Sequence, residues 1–338
     1  MPENVWSTEA WPAADPEILG LTADKIQGLE SEIAANYGNI NGIVIVKNGV
    51  AAYEKYFNGY GPDEAHHVAS VTKSIVSVLL GMAIDAGFIQ DADQKVLDFF
   101  PEYPIDRDHP VKKEITLRHL LTMTAPYPFE DWQEPLDKLC MQPDWVEYTL
   151  NILGHQGEPG RFKYSTSGAH LLSAILTRAT GQSARAFANE RLFGPLGMKV
   201  IPDYAMEAYG FEDLFGAKVK GWVTDPQGNS TGGWGLTLTP RDMARFGLLC
   251  LHRGSWNGRS LVSEHWMLES TAMTPHHYGY LWWLREEEGV FAYMAMGDGG
   301  NIICCVPEHE LIIAMASGFM MNPRDRWTLI KEWILPAK

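Results

Sequence analysis

Apolar positions Ile26, Leu29 and Ile33 recur at intervals of three and four, the period of one helix face. Thr22 offers an N-cap hydroxyl before them and Gly38 a stop after them. The period then shortens. Ile43-Val44-Ile45-Val46 is a β-branched run, Asn48-Gly49 is a two-residue hairpin signal, and 50–57 reads as the returning strand. An apolar helix-length stretch follows Ser70 and ends near Asp85-Ala86-Gly87, and from there to about residue 225 the pattern is helical between long Pro-rich loops, as at 117–123, 145–153 and 168–192. Strand signals return only late, at 280–284, 290–296, 301–306 and 311–316, before a last helix over 324–334. Strands at both ends with helices between predict an α/β protein of the α+β type. Its antiparallel sheet is assembled from both termini and flanked by helices, and a mostly helical domain is inserted. The expected division is 1–85 with 232–338 as the sheet domain and 86–231 as the insertion, with a cleft between them as the place for a site.

A chain of 338 residues, 46% hydrophobic and 20% charged, has the length and composition for a large core and for two modules or one layered domain. Lys and Arg total 27 against 42 Asp and Glu, a net charge of −15. That sign is wrong for neutralising phosphates, so nucleic acid and anionic lipid are poor partners. The opening residues MPENVWSTEAWPAADP carry no basic-then-apolar export pattern, and the longest apolar stretch, 75–84, is broken by Ser77 and Gly81, so a cytoplasmic protein without membrane spans is expected. Four cysteines, two of them the adjacent pair Cys304-Cys305, suit buried thiols better than a disulfide framework. The twelve tryptophans are enough to line a pocket as well as to fill a core.

Ser70-Val71-Thr72-Lys73 sets a hydroxyl and an amine one helical turn apart at the start of an apolar helix. The helix N-terminus favours an oxyanion beside the serine, and a desolvated Lys73 amine can take the serine proton. Spacing alone also fits a cap serine with a snorkelling lysine. Tyr164 falls at a loop-to-helix junction beside Arg161 and Lys163, cations that would favour a phenolate acting as base or proton shuttle. A packed structural tyrosine fits equally. Gly297-Asp298-Gly299-Gly300 lies between two strands; its glycines permit a backbone to approach a ligand, or simply form a hairpin turn. No metal is expected: His66-His67 and His276-His277 are sequence neighbours that point apart, and no His-Glu-x-x-His or Cys-x-x-Cys spacing occurs. His119 reads as a structural histidine, and the glycines at 232–235 lack the lysine of a phosphate loop.

Five segments in this order are recognisable together. They are Ser70-Val71-Thr72-Lys73, residues 116–124 (TLRHLLTMT), Tyr164-Ser165-Thr166, residues 232–247 (GGWGLTLTPRDMARFG), and 297–301 with Pro307. In register they resemble the serine β-lactamase-like family from about Lys25 to Ser317, in particular the branch of class C β-lactamases, D-alanyl-D-alanine peptidases, family VIII carboxylesterases and the 6-aminohexanoate-dimer hydrolase. The resemblance implies Ser70 as the acylated nucleophile, Lys73 as its general base and Tyr164 as proton relay to the leaving group, with the backbone N–H groups of Ser70 and Asp298 as the oxyanion hole. No cofactor is required by such a mechanism. Two departures stand out. Thr166 occupies the asparagine position of the Tyr-x-Asn box, and Ala295-Met296-Gly297 replaces the Lys-Thr-Gly box, keeping only its glycine.

The family's third-box lysine meets a substrate carboxylate, whereas this acidic chain offers Ala295 and Asp298. Neutral or cationic acyl groups are therefore expected over anionic β-lactams, with Asp298 either meeting a substrate ammonium or standing as a solvent-facing turn carboxylate. The expected activity is a serine hydrolase of small esters or amides. A D-amino-acid peptidase or β-lactamase is the enzymatic alternative, and a non-catalytic penicillin-binding-like scaffold the alternative of another class. Beside Thr166, Gly297 and Asp298, the aromatics Tyr127, Phe129, Trp132 and Trp234 and one of the Trp282-Trp283 pair, taken as Trp282, are expected at the substrate, because alternate strand residues face opposite ways. Oligomeric state is not encoded in any of these features.

Overall fold

The computed structural model describes residues 14–129, 133–208, 213, 216 and 218–335, so the expectation for Trp132 lies outside the described residues. Helix α1 (Ala23–Asn36) begins where the Thr22 hydroxyl accepts the Lys25 N–H, and buries Leu29 and Ile33. Strands β1 (Ile40–Lys47) and β2 (Val50–Tyr56) follow as an antiparallel hairpin. Its turn residues have φ of +52° at Asn48 and +77° at Gly49, the double left-handed geometry that matches the twist of paired strands. Helix α2 (Val71–Asp85) then runs through the interior with 13 of its residues buried.

The helical region comprises the short helices Leu117–Leu121, Leu136–Cys140 and Trp145–Ile152 and the longer α3 (Thr166–Thr180), which packs on α2. The helical stretch expected over 168–192 is divided: Gly181, at φ +73°, ends α3, and Ala184–Ala188 begins anew behind its Ser183 cap. Helix α4 (Pro240–Leu251) returns the chain to the sheet, which is completed by β3 (Trp283–Glu287), β4 (Val290–Gly297), β5 (Asn301–Val306) and β6 (Leu311–Ser317), and α5 (Arg326–Trp333) closes the fold.

The result is the expected mixed α/β architecture: one six-stranded antiparallel sheet in the order β2-β1-β6-β5-β4-β3, built from both ends of the chain. Its central strands are apolar on both faces. Ile43, Ile45, Cys304 and Ile313 pack with Leu29 and Ile33 of α1 and Trp327 and Ile330 of α5. Val44, Val46, Cys305 and Ile312 pack with α2 and α4 in a larger cluster that continues into the helical region. Cys304 and Cys305 thus take opposite faces by strand alternation, and all four cysteines are buried free thiols. Gly247 brings α4 against the sheet: a Cβ there would lie 2.7 Å from Ile312 and 2.8 Å from Ile303. No helix among the described residues is long and apolar enough to cross a membrane.

The strand expected at 280–284 starts later. Leu281 is left-handed, at φ +61°, and its N–H bonds the Leu121 carbonyl, so 279–282 forms a turn against the helical region and β3 begins only at Trp283.

Candidate active site

Ser70 occupies the N-cap position of α2, yet its side chain caps nothing. Instead its Oγ accepts a hydrogen bond from Lys73 Nζ at 3.0 Å. The preceding Ala69 is left-handed, at φ +48°, which costs a non-glycine residue about 1–2 kcal/mol and turns the chain abruptly from Val68 into the helix. The cap-and-snorkel alternative fails on both residues, because Lys73 is sealed at 1% exposure. Its ammonium donates to Ser70 Oγ, to Thr166 Oγ1 at 3.1 Å and to the Gly233 carbonyl at 2.8 Å. Three uncharged acceptors hold the amine in place, with no ion pair among the described residues. Burial pulls its pKa from 10.5 down to about 8, against the opposing pull of Glu134 and Asp298.

Tyr164 sits in the turn before α3. Its hydroxyl is hydrogen-bonded to Ser70, and Lys73 Nζ lies 4.7 Å from the ring centroid. The phenolate expected from neighbouring cations is corrected here: burial holds the Tyr164 pKa well above its ordinary 10, so the phenol is neutral. Lys163 is turned away, its Nζ donating to the backbone carbonyls of Tyr127 at 2.9 Å and Phe129 at 2.6 Å, and Arg161 is exposed.

At the end of β4, Gly297 presses on the nucleophile turn. A Cβ at that position would lie 2.2 Å from the Val68 carbonyl and 3.0 Å from Ser70 N, so only glycine lets the strand end this close. Ser70, Tyr164, Thr166, Trp234, Gly297 and Asp298 all line one cleft of about 490 Å³.

Three expected substrate aromatics, Trp282, Tyr127 and Phe129, do not line it. Trp282 is fully buried, stacked on Phe246 at 5.9 Å and edge-on to Tyr293. Alternation holds with the opposite phase, and Trp283 lines the cleft, stacked on Tyr164 at 5.8 Å. Tyr127 is a core residue at 1% exposure, stacked on Phe129 at 5.5 Å and packed behind the first turn of α3. Trp234 is held by stacking on Trp145 at 5.6 Å. The histidines have local duties: His119 Nδ1 accepts the Thr116 N–H as a helix cap, His66 neighbours Asn41, and His67 Nε2 accepts the Gly235 N–H.

Three contributors were not foreseen from the chain. Gly233 supplies a carbonyl to Lys73. The segment 323–326 forms one wall, where buried Arg326 ties the 299–300 turn to Asn39 and Ser317. Glu134 places a carboxylate at the cleft, against the first N–H groups of α3. Its loop has no periodicity, and no local signal marks it.

A family model described as Beta-lactamase matches residues 29–329. The 6-aminohexanoate-dimer hydrolase of Paenarthrobacter ureafaciens is 23% identical over 273 residues, covering 76% of this chain and 63% of the relative; the chain therefore spans less than two thirds of that relative's length. Among solved structures, a putative 6-aminohexanoate-dimer hydrolase from Bacillus anthracis superposes with a TM-score of 0.72 at 20% identity, covering 96% of this chain and 86% of the other. EstCE1, a hydrolase with promiscuous acyltransferase activity, gives 0.69 at 17% identity, covering 93% and 97%. At these identities the structural matches establish a common fold.

Proposed function

The chain belongs to the beta-lactamase family, and from that premise we propose that it is a serine hydrolase cleaving small esters or amides with neutral or cationic acyl groups through an acyl-enzyme on Ser70. Neutral Lys73 accepts the Ser70 hydroxyl proton as Oγ attacks the carbonyl carbon. The N–H groups of Ser70 and Asp298 stabilise the oxyanion of the tetrahedral intermediate. Collapse breaks the bond to the leaving group, which takes its proton through the Tyr164 phenol, replenished from Lys73. Water then attacks the acyl-Ser70 ester, giving up a proton along the same route, and Ser70 is released with the carboxylic acid.

The observation that carries this reading is the buried Lys73 amine, 3.0 Å from Ser70 Oγ, with its pKa lowered to about 8. A buried lysine whose pKa is drawn down toward physiological pH, touching a serine hydroxyl, is costly to build for packing alone. The 6-aminohexanoate-dimer hydrolase and the hydrolase with promiscuous acyltransferase activity among the similar proteins support the reaction class. Ala295, fully buried where the family's lysine would stand, and Asp298 at the cleft support the preference for acyl groups without negative charge.

Hydrolysis of a short-chain p-nitrophenyl ester by the purified protein, lost in Ser70→Ala with the melting temperature unchanged, is the expected result. Undiminished turnover in Ser70→Ala would overturn it. Nitrocefin turnover matching ester turnover would instead favour a β-lactamase.

A further inference from the structure

The first turn of a helix offers unpaired N–H groups and positive potential, an ordinary receptor for an anion. That of α3 opens into the cleft beside Ser70 and Lys73, where an acyl group would lie, and it is already filled from within the protein. Glu134 Oε2 accepts the Thr166 N–H, and its Oε1 accepts the Ser167 N–H at 2.7 Å and the Ser165 hydroxyl at 3.4 Å. The carboxylate reaches these donors from a loop 32 residues upstream and still forms part of the cleft wall. The other carboxylates of the cleft are Asp298 and Asp325; of its two arginines, buried Arg326 is committed to Asn39, Ser317 and backbone carbonyls, and Arg324 stands exposed on the 323–326 segment.

We propose that Glu134 is a specificity-determining residue: its carboxylate takes the two N–H donors that a substrate anion would otherwise occupy and turns the acyl site against negatively charged acyl groups. Specificity by exclusion requires such a repulsive element beside the attractive ones. A carboxylate fixed by three donors cannot swing away to admit a competitor. The proposal rests on Ser70 being the acylated residue.

Because Glu134 also acts on the charge of Lys73, a change in absolute rate would not isolate its role. The readout is therefore a ratio, in which any common effect on Lys73 cancels: kcat/KM for the anionic mono-p-nitrophenyl glutarate over that for the neutral p-nitrophenyl butyrate. In Glu134→Ala, which vacates both donors, the ratio is expected to rise about tenfold over wild type. In Glu134→Gln, whose amide oxygen keeps an acceptor at the helix start, a smaller rise is expected, and this variant carries the test should the alanine variant fail to fold. An unchanged or lower ratio overturns the proposal. Failure of the underlying reading looks different: wild type would hydrolyse neither ester, or Ser70→Ala would hydrolyse both, and the inference would fall with it.

Discussion

Lys73, bonded behind the cleft-lining Ser70 and Thr166, and Arg326, in the wall of the same cleft, are both sealed from solvent at 1% and 2% exposure, and neither is in an ion pair among the described residues. Lys73 is held by two hydroxyls and one carbonyl. Arg326 is held by the Asn39 and Ser317 side chains and by carbonyls of Gly299, Gly300 and Arg324. Burial lowers the pKa of both, to about 8 for the lysine and about 10 for the arginine. The same desolvation thus yields opposite devices. An ammonium can shed its proton and become a base, whereas a guanidinium keeps its charge and its fork of donors and becomes a strap. The side of the cleft backed by Lys73 is built to change protonation, and the wall at Arg326 to stay fixed beneath the 299–300 turn that follows Asp298.

The comparison breaks most sharply if the two cations respond alike to substitution. Lys73→Ala is expected to cut kcat/KM on a neutral ester by about a thousandfold or more, and Lys73→Arg not to rescue it, because a guanidinium does not deprotonate. Lys73→Met, equally inactive, should melt no lower than wild type, since it removes a desolvated charge; a clear drop in melting temperature would show that Lys73 is a structural strap after all. Arg326→Met should do the reverse, costing about 3 kcal/mol of unfolding free energy in denaturant titration by orphaning several buried carbonyls, with a smaller loss of turnover.

A pH profile sharpens the contrast. The Lys73 amine must be neutral to act, so kcat/KM should climb about tenfold per unit below pH 8 and level off above it. Stability carries the matching sign. The folded-state pKa lies below that of the unfolded lysine, so the unfolded chain binds more protons between about 8 and 10.5, and this group's penalty is full below 8 and relieved as pH rises through that window. A rate limb centred near 10 would mean that Lys73 is not desolvated in solution. The smallest effect is expected at Thr166→Val, which removes one of three acceptors of Lys73: about a fivefold loss of kcat/KM, with the midpoint of the pH limb moved.

What could be read along the chain was whatever depends on neighbours in sequence. The 3.6-residue period of α1, the Asn48-Gly49 turn and the late β-branched strands specify the sheet and its covering helices, since each is a local choice with a local signal. Ser70 and Lys73 share a turn, so their contact follows from helix geometry. The remaining partners of Lys73 lie 93 and 160 residues away, at Thr166 and Gly233, and only the packed fold joins them. Glu134 and Arg326 escape for the same reason, the latter pairing with Asn39 across 287 residues. The Trp282-Trp283 pair shows a different limit. Alternation says that the two indoles part company, but the phase is set by the left-handed Leu281 and its bond to Leu121, which no two-residue pattern contains. Tyr164 marks a third: nearby sequence cations suggested a phenolate, while Lys163 spends its charge on two carbonyls and burial keeps the phenol neutral.

The most direct measurement is to quench the protein within its first turnovers of p-nitrophenyl acetate and to locate the acyl group by peptide mass spectrometry. An acetyl group on Ser70, absent from Ser70→Ala and formed faster at pH 9 than at pH 6, is the expected result. Steady hydrolysis with the acetyl group on another residue, or with none at Ser70 while Ser70→Ala stays active, would contradict it.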